Sequence, residues 1–144
     1  MSSSVYEKPL PQPDLDSQKY WDGCREHKLL IQRCKGCGTY RFPGNSMCHM
    51  CQCRDYEWVE VEGKGVVYTW IVVHYSPHQA FSRDVPYAVA YIELNAPKTI
   101  RMCGNIVNCK NEDIYAGMPV EVVFDDVTPA VTLPRWKPTN QPNL

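Results

Sequence analysis

The sequence has no excess of charge of either sign. Fifteen lysines and arginines face sixteen aspartates and glutamates, giving a net charge of −1 and a pI near 6.4. No overall positive field draws in polyanions, so non-specific binding to nucleic acid is disfavoured. Long apolar runs are missing as well. The longest, Val66 to Val73, is interrupted by Thr69 and falls far short of the ~20 residues a membrane helix needs. The opening Met1-Ser-Ser-Ser-Val-Tyr-Glu has no basic segment leading into an apolar one. No signal peptide or membrane span is therefore expected, and a cytoplasmic protein is. Catalytic signatures are absent too: there is no Gly-x-Ser-x-Gly, no phosphate loop, no Gly-x-Gly-x-x-Gly and no His-Glu-x-x-His. His74 and His78 are the histidine pair nearest to a carboxylate, Asp84, but Pro77 between them rules out a helical ligand face.

What the chain does have is cysteine, eight in 144 residues. That density is too low for a disulfide scaffold, and with no secretion signal it points to metal binding in a reducing compartment. Cys34-x2-Cys37 and Cys48-x2-Cys51 each make a tight knuckle, and the ten residues between the pairs let both close on one tetrahedral ion. Gly36 and Gly38 give the knuckle backbone the freedom to turn its amides toward thiolate sulfur. A structural four-sulfur zinc site on Cys34, Cys37, Cys48 and Cys51 is predicted. Cys53 lies two residues beyond Cys51, so a shifted register with Cys53 as fourth ligand stays open. The first knuckle, Cys34-Lys-Gly-Cys37-Gly-Thr-Tyr40, also resembles that of a rubredoxin, which holds iron on the same four sulfurs. Zinc is favoured, because an electron carrier has no use for a barrel twice its size. A closed four-sulfur site leaves no position for water, which argues against hydrolysis at the metal. Outside the quartet, Cys24, Cys53, Cys103 and Cys109 read as buried or free thiols.

The length allows one ordinary domain, or a small stapled module beside a barrel of roughly 80 to 100 residues. Residues 1–13, with three serines and prolines at 9, 11 and 13, read as an extended arm. Asp14, Asp16 or Ser17 can cap a helix at about 15–28, whose Tyr20 and Trp21 either pack on their own domain or dock another subunit. The metal ribbon follows over 29–55, entered by a short strand at Leu30–Arg33. From 56 to 137 the texture is all-β. Strands are predicted at Trp58–Glu62, Val66–His74, Tyr87–Leu94, Thr99–Val107, Val120–Phe124 and Val131–Trp136, with a kink at Gly63-Lys64-Gly65 and a turn at Asn95–Lys98. One helical turn is expected between Asn111 and Gly117. The predicted fold is mainly β: an N-terminal helix and a four-cysteine ribbon, then a five-stranded Greek-key barrel of the OB type. Residues 138–144 form a patternless tail. The long loop from His74 to Pro86 gathers Tyr75, Phe81, Arg83 and both histidines, and loops of that length tend to carry function.

Read together, these segments resemble the DUF35 family, OB-fold proteins with a rubredoxin-like zinc ribbon. The likeness runs from Tyr20 to Lys137. It is carried by Tyr20-Trp21-Asp22-Gly23, Leu30 to Cys37 with Phe42-Pro43, and Gly63-Lys64-Gly65-Val66-Val67-Tyr68-Thr69. It continues in His74, Pro77-His78-x-Ala80-Phe81, Val85-Pro86-Tyr87, Gly117-Met118-Pro119-Val120 and Leu133-Pro134. The second knuckle departs from the commoner Cys-Pro-x-Cys-Gly form. The resemblance implies a non-catalytic subunit of a hetero-oligomer, whose partner is a thiolase-like enzyme or an acyl-CoA hydratase or aldolase. The nucleophile and base would then belong to the partner, and coenzyme A or acyl-CoA would be the ligand of the complex. Coenzyme A is an anionic nucleotide on a flexible arm, so cations beside an aromatic are the candidate contacts: Phe81, Arg83, Arg101 and Lys110, with Lys98, Arg135 and Lys137 also available. The rival reading is a single-stranded nucleic-acid binder with Trp70, Tyr75, Phe81 and Tyr91 as its stacking platform.

Overall fold

The computed structural model describes residues 6–139. The first five residues of the expected arm and the tail from residue 140 lie outside the described residues. Tyr6 to Pro13 run without regular structure, as the prolines require.

The N-terminal helix is shorter than its pattern suggests, α1 spanning Gln18–Arg25. Asp14 explains the late start. Its carboxylate accepts the N–H groups of Asp16 and Ser17 and the Ser17 hydroxyl, which fixes a turn ahead of the helix. At the other end His27 adopts the left-handed conformation, with φ 60°, and the N–H groups of Glu26, His27 and Lys28 fold back onto the carbonyls of residues 22–24. Tyr20 and Cys24 are buried in the shared core, and Trp21 packs against it half-buried. The aromatic pair is thus spent largely within its own chain. Burial pushes the Cys24 thiol up to about 11, so it is an inert filler.

The chain then makes two sheets. Leu29–Cys34 (β1) pairs antiparallel with Tyr40–Arg41 (β2) on one side and Tyr56–Val61 (β3) on the other. The second sheet holds Lys64–Val73 (β4), Tyr87–Leu94 (β5), Arg101–Asn105 (β6), Pro119–Thr128 (β7) and Val131–Pro138 (β8), in the order β6-β5-β4-β7-β8. A parallel bridge from Ile106 to Trp136, and the Val107 N–H donating to the Trp136 carbonyl at 2.7 Å, join the two ends. That closure gives the five-stranded Greek-key barrel, with the one-turn 3-10 helix Asn111–Asp113 between β6 and β7. The strand predicted at Trp58–Glu62 hydrogen-bonds to the ribbon strand β1 rather than to the barrel. Its pattern alone could not choose between the two sheets. The long loop also holds a one-turn helix, Gln79–Ser82 (α2), whose first free amide, at Ala80, donates to His78 Nδ1 at 3.1 Å.

Two glycines make the joint between the sheets. Gly63 turns β3 into β4 with φ 75°, and a Cβ there would lie 2.5 Å from Val122. Gly65 lets β4 approach β5, because a Cβ would sit 2.3 Å from the Glu93 carbonyl oxygen. The core runs without a break from α1 and β1 through Val67, Ala90, Ile92, Met102 and Val120 to Trp136. Trp136 is 1% exposed at the closing seam. Replacing it with alanine is expected to cost about 3–5 kcal/mol, read as a fall in the urea midpoint at constant m-value with the metal content unchanged.

Candidate functional site

The metal centre lies at the free end of the ribbon sheet. Cys34 ends β1, Cys37 follows in the first knuckle, and Cys48 and Cys51 come from the loop leading to β3. Their sulfurs all lie within 4.8 Å of one another. Cys34 and Cys51 are 3.5 Å apart and Cys37 and Cys48 3.7 Å apart. Four sulfurs about 2.3 Å from one zinc ion stand about 3.8 Å from each other, so the arrangement has the size of a tetrahedral thiolate site. The amides behave as knuckle amides should. Gly36 and Cys37 donate to Cys34 Sγ at 3.2 and 3.5 Å, and Met50 donates to Cys48 Sγ at 3.4 Å.

Those donors have electrostatic consequences. The Cys37 amide lowers the Cys34 thiol, the Thr39 hydroxyl lowers Cys37, and the Cys51 amide lowers Cys48. Cys51 is the exception. The Cys53 amide lowers it, but the sulfurs of Cys34 and Cys37 outweigh that and push it up to about 12. Four thiolates this close cannot all ionise until a cation arrives between them, which is the donor chemistry of zinc. Cys53 is not among the four sulfurs. Its own sulfur accepts the Asp55 N–H at 3.4 Å, and its carbonyl accepts the Cys48 N–H at 2.9 Å.

The candidate coenzyme A contacts do not converge. Phe81 lines a cavity of about 260 Å³ with Tyr87, Ile106, Leu133 and Arg135, covered by Tyr6, Lys8 and Pro9 of the arm. Arg83 lines the adjoining cavity and pairs with Glu7, while Lys8 pairs with Asp84 and sits 5.6 Å from the Phe81 ring centre. Arg101 lines neither cavity. It stacks on Tyr68, 3.9 Å from the ring centre, and faces Glu93 at 3.6 Å. Lys110 is exposed ahead of the 3-10 turn and also lines neither. Sequence reasoning missed Tyr6 and Lys8, because an irregular arm carries no periodic signal. The stacking platform is not assembled either. Trp70 pairs with buried Ala90 and packs against the core, whereas Tyr91 pairs with Thr69 on the outer face.

Against this geometry the comparisons with known proteins are specific. The model of the ChsH2 rubredoxin-like zinc ribbon domain matches residues 21–57, and that of the ChsH2 C-terminal OB-fold domain matches residues 58–125. The chain belongs to the ChsH2 (DUF35) family. A DUF35 domain-containing scaffold protein of Methanocaldococcus jannaschii is 44% identical over 106 residues, 72% of this chain and 73% of the relative. A probable enoyl-CoA hydratase alpha subunit of Thermomonospora curvata is 36% identical over 131 residues, 91% of this chain but 40% of the relative. The chain thus spans less than half the length of that hydratase subunit. Among solved structures, a chain of the Ltp2-ChsH2(DUF35) aldolase superposes with a TM-score of 0.82 at 35% identity, covering 90% of this chain and 99% of that one. No described helix is long and apolar enough to cross a membrane.

Serine at Cys34, Cys37, Cys48 or Cys51 is expected to abolish stoichiometric zinc, while Cys53→Ser keeps one equivalent per chain. Metal analysis of the purified variants checks this. Retention by Cys51→Ser together with loss by Cys53→Ser would move the fourth ligand to Cys53.

Proposed function

We propose that this protein is a non-catalytic subunit that assembles with a thiolase-like catalytic chain acting on acyl-CoA thioesters. The observation that carries the reading is the near-complete superposition on the DUF35 chain of a two-component aldolase. In this assembly the zinc ribbon is a rigid structural part. The barrel face around Phe81, Arg83, Lys8 and Arg135 helps to position coenzyme A, whose phosphates would compete for these three cations with the carboxylates of Glu7, Asp84 and Asp125 that pair with them.

A hydratase or aldolase partner is the second reading, favoured by the hydratase alpha subunit relative and by the aldolase named in the similar solved structure. That hydratase relative is more than twice as long as the stretch it shares with this chain.

Affinity purification of tagged protein from its native lysate, with the partner identified by mass spectrometry, tests the proposal. A thiolase-like chain in stoichiometric amount, whose acyl-CoA turnover rises on adding this subunit, is the expected result. A hydratase, or an aldolase that is not thiolase-like, in its place selects the second reading. Recovery of nucleic acid alone, or of a monomer that stays alone, overturns both.

A further inference from the structure

A cavity of about 700 Å³ lies in the crease between the ribbon and the β5–β6 turn of the barrel, away from the Phe81 face. Gly38 to Pro43 form one side, Asn45, Met47, His49 and Met50 a second, and Pro97, Thr99 and Ile100 the third. Its size is that of a small-molecule site, and its walls are mostly apolar. No carboxylate lines it, although the chain carries sixteen acidic residues. The other cavities described above differ in this, since Asp84 lines both.

Arg41 gives the crease its charge. The residue lines the cavity and is only 5% exposed. Nη2 donates to the Asn45 carbonyl at 2.8 Å, and the guanidinium carbon lies 5.3 Å from the Tyr56 ring centre. Nε and Nη1 are buried with no acceptor, and Arg41 has no ion-pair partner among the described residues. Gln32, opposite Arg41 across β1 and β2, adds a second unmatched donor. Its Oε1 accepts the Asn45 N–H at 2.9 Å while its Nε2 has no partner. A buried guanidinium with unused donors and no counter-charge is unfavourable until an acceptor arrives; Nε and Nη1 lie on different edges, so an anion would bond one of them together with the second hydrogen of Nη2. The Nε and Nη1 atoms are sealed from solvent, so an anion reaches them only if the wall gives way, and Met47 and Met50 are exposed, unbranched side chains of that wall that can move aside.

We propose that the crease binds a small organic anion, with its carboxylate or phosphate head against Arg41 and its apolar body against Phe42, Met47 and Ile100. The site is independent of the coenzyme A face and of the partner assignment. Carboxylate and phosphate heads share the charge and the acceptor geometry, so both are tested on one apolar body.

Zinc-loaded protein with 13C-labelled methionine methyls is titrated with benzoate, with phenyl phosphate and with uncharged benzyl alcohol. The methyl signals of Met47 and Met50 report the crease, and those of buried Met102 and Met118 serve as internal controls. Saturable shifts confined to Met47 and Met50, with at least one anion binding about tenfold tighter than benzyl alcohol, are expected. Whichever of benzoate and phenyl phosphate binds tighter assigns the head group. Arg41→Met removes that preference. Should Arg41→Met fail to fold, His49→Glu places a carboxylate on the exposed wall and weakens both anions at unchanged zinc content. Absence of saturation by both anions, equal binding of benzyl alcohol, or an anion preference that survives these substitutions overturns the proposal.

Discussion

Four sulfur atoms within 4.8 Å of one another repel as thiolates, and the cation that reconciles them organises everything ahead of the barrel. A ribbon of this size has too little apolar surface to fold alone. Structural zinc typically supplies an apparent ~10–16 kcal/mol in such modules. The metal therefore fixes the end of β1. Through β1 it fixes β3, whose six residues pair with it from Leu29↔Val61 to Cys34↔Tyr56. Since β3 passes into β4 through a single turn at Gly63, the metal end and the barrel share one continuous frame.

The barrel depends on a different constraint, closure. Its sheet would be open were it not for the parallel contact of Ile106 with Trp136, which ties β6 to β8. Gly104 serves this seam, because a Cβ there would lie 2.7 Å from the Trp136 ring. An indole buried at the seam fills the space that five short strands leave. The helix α1 then lies over the joint, with Tyr20 and Cys24 in the same core as Leu29 and Ile31.

Much of this was legible in the chain. The cluster of four cysteines could be read because knuckle chemistry is local: a spacing of two residues within each pair and two glycines in the first carry it. The barrel strands could be read from alternation and from punctuation at Gly63, Asn95–Lys98 and Gly117. Three features escaped, each for a physical reason. The ends of α1 depend on a side-chain turn at Asp14 and a left-handed His27, neither of which is periodic. The membership of β3 is decided by long-range pairing. The burial of Arg41 runs against the habit of its residue type, and only the fold of the inter-knuckle loop over β2 puts it inside.

The joint at Gly63 has a consequence for how chains of this kind can vary. Only Glu62 and Gly63 separate the ribbon from the barrel, and the space a side chain would need at Gly63 is already held by Val122. An insertion there would break the β3 register on one side or the β4 register on the other. By contrast, the turn at 95–98 and the segment between Val107 and Met118 connect strands at their ends. Added residues in such loops would leave both strand registers, and with them the distance from metal to barrel, unchanged.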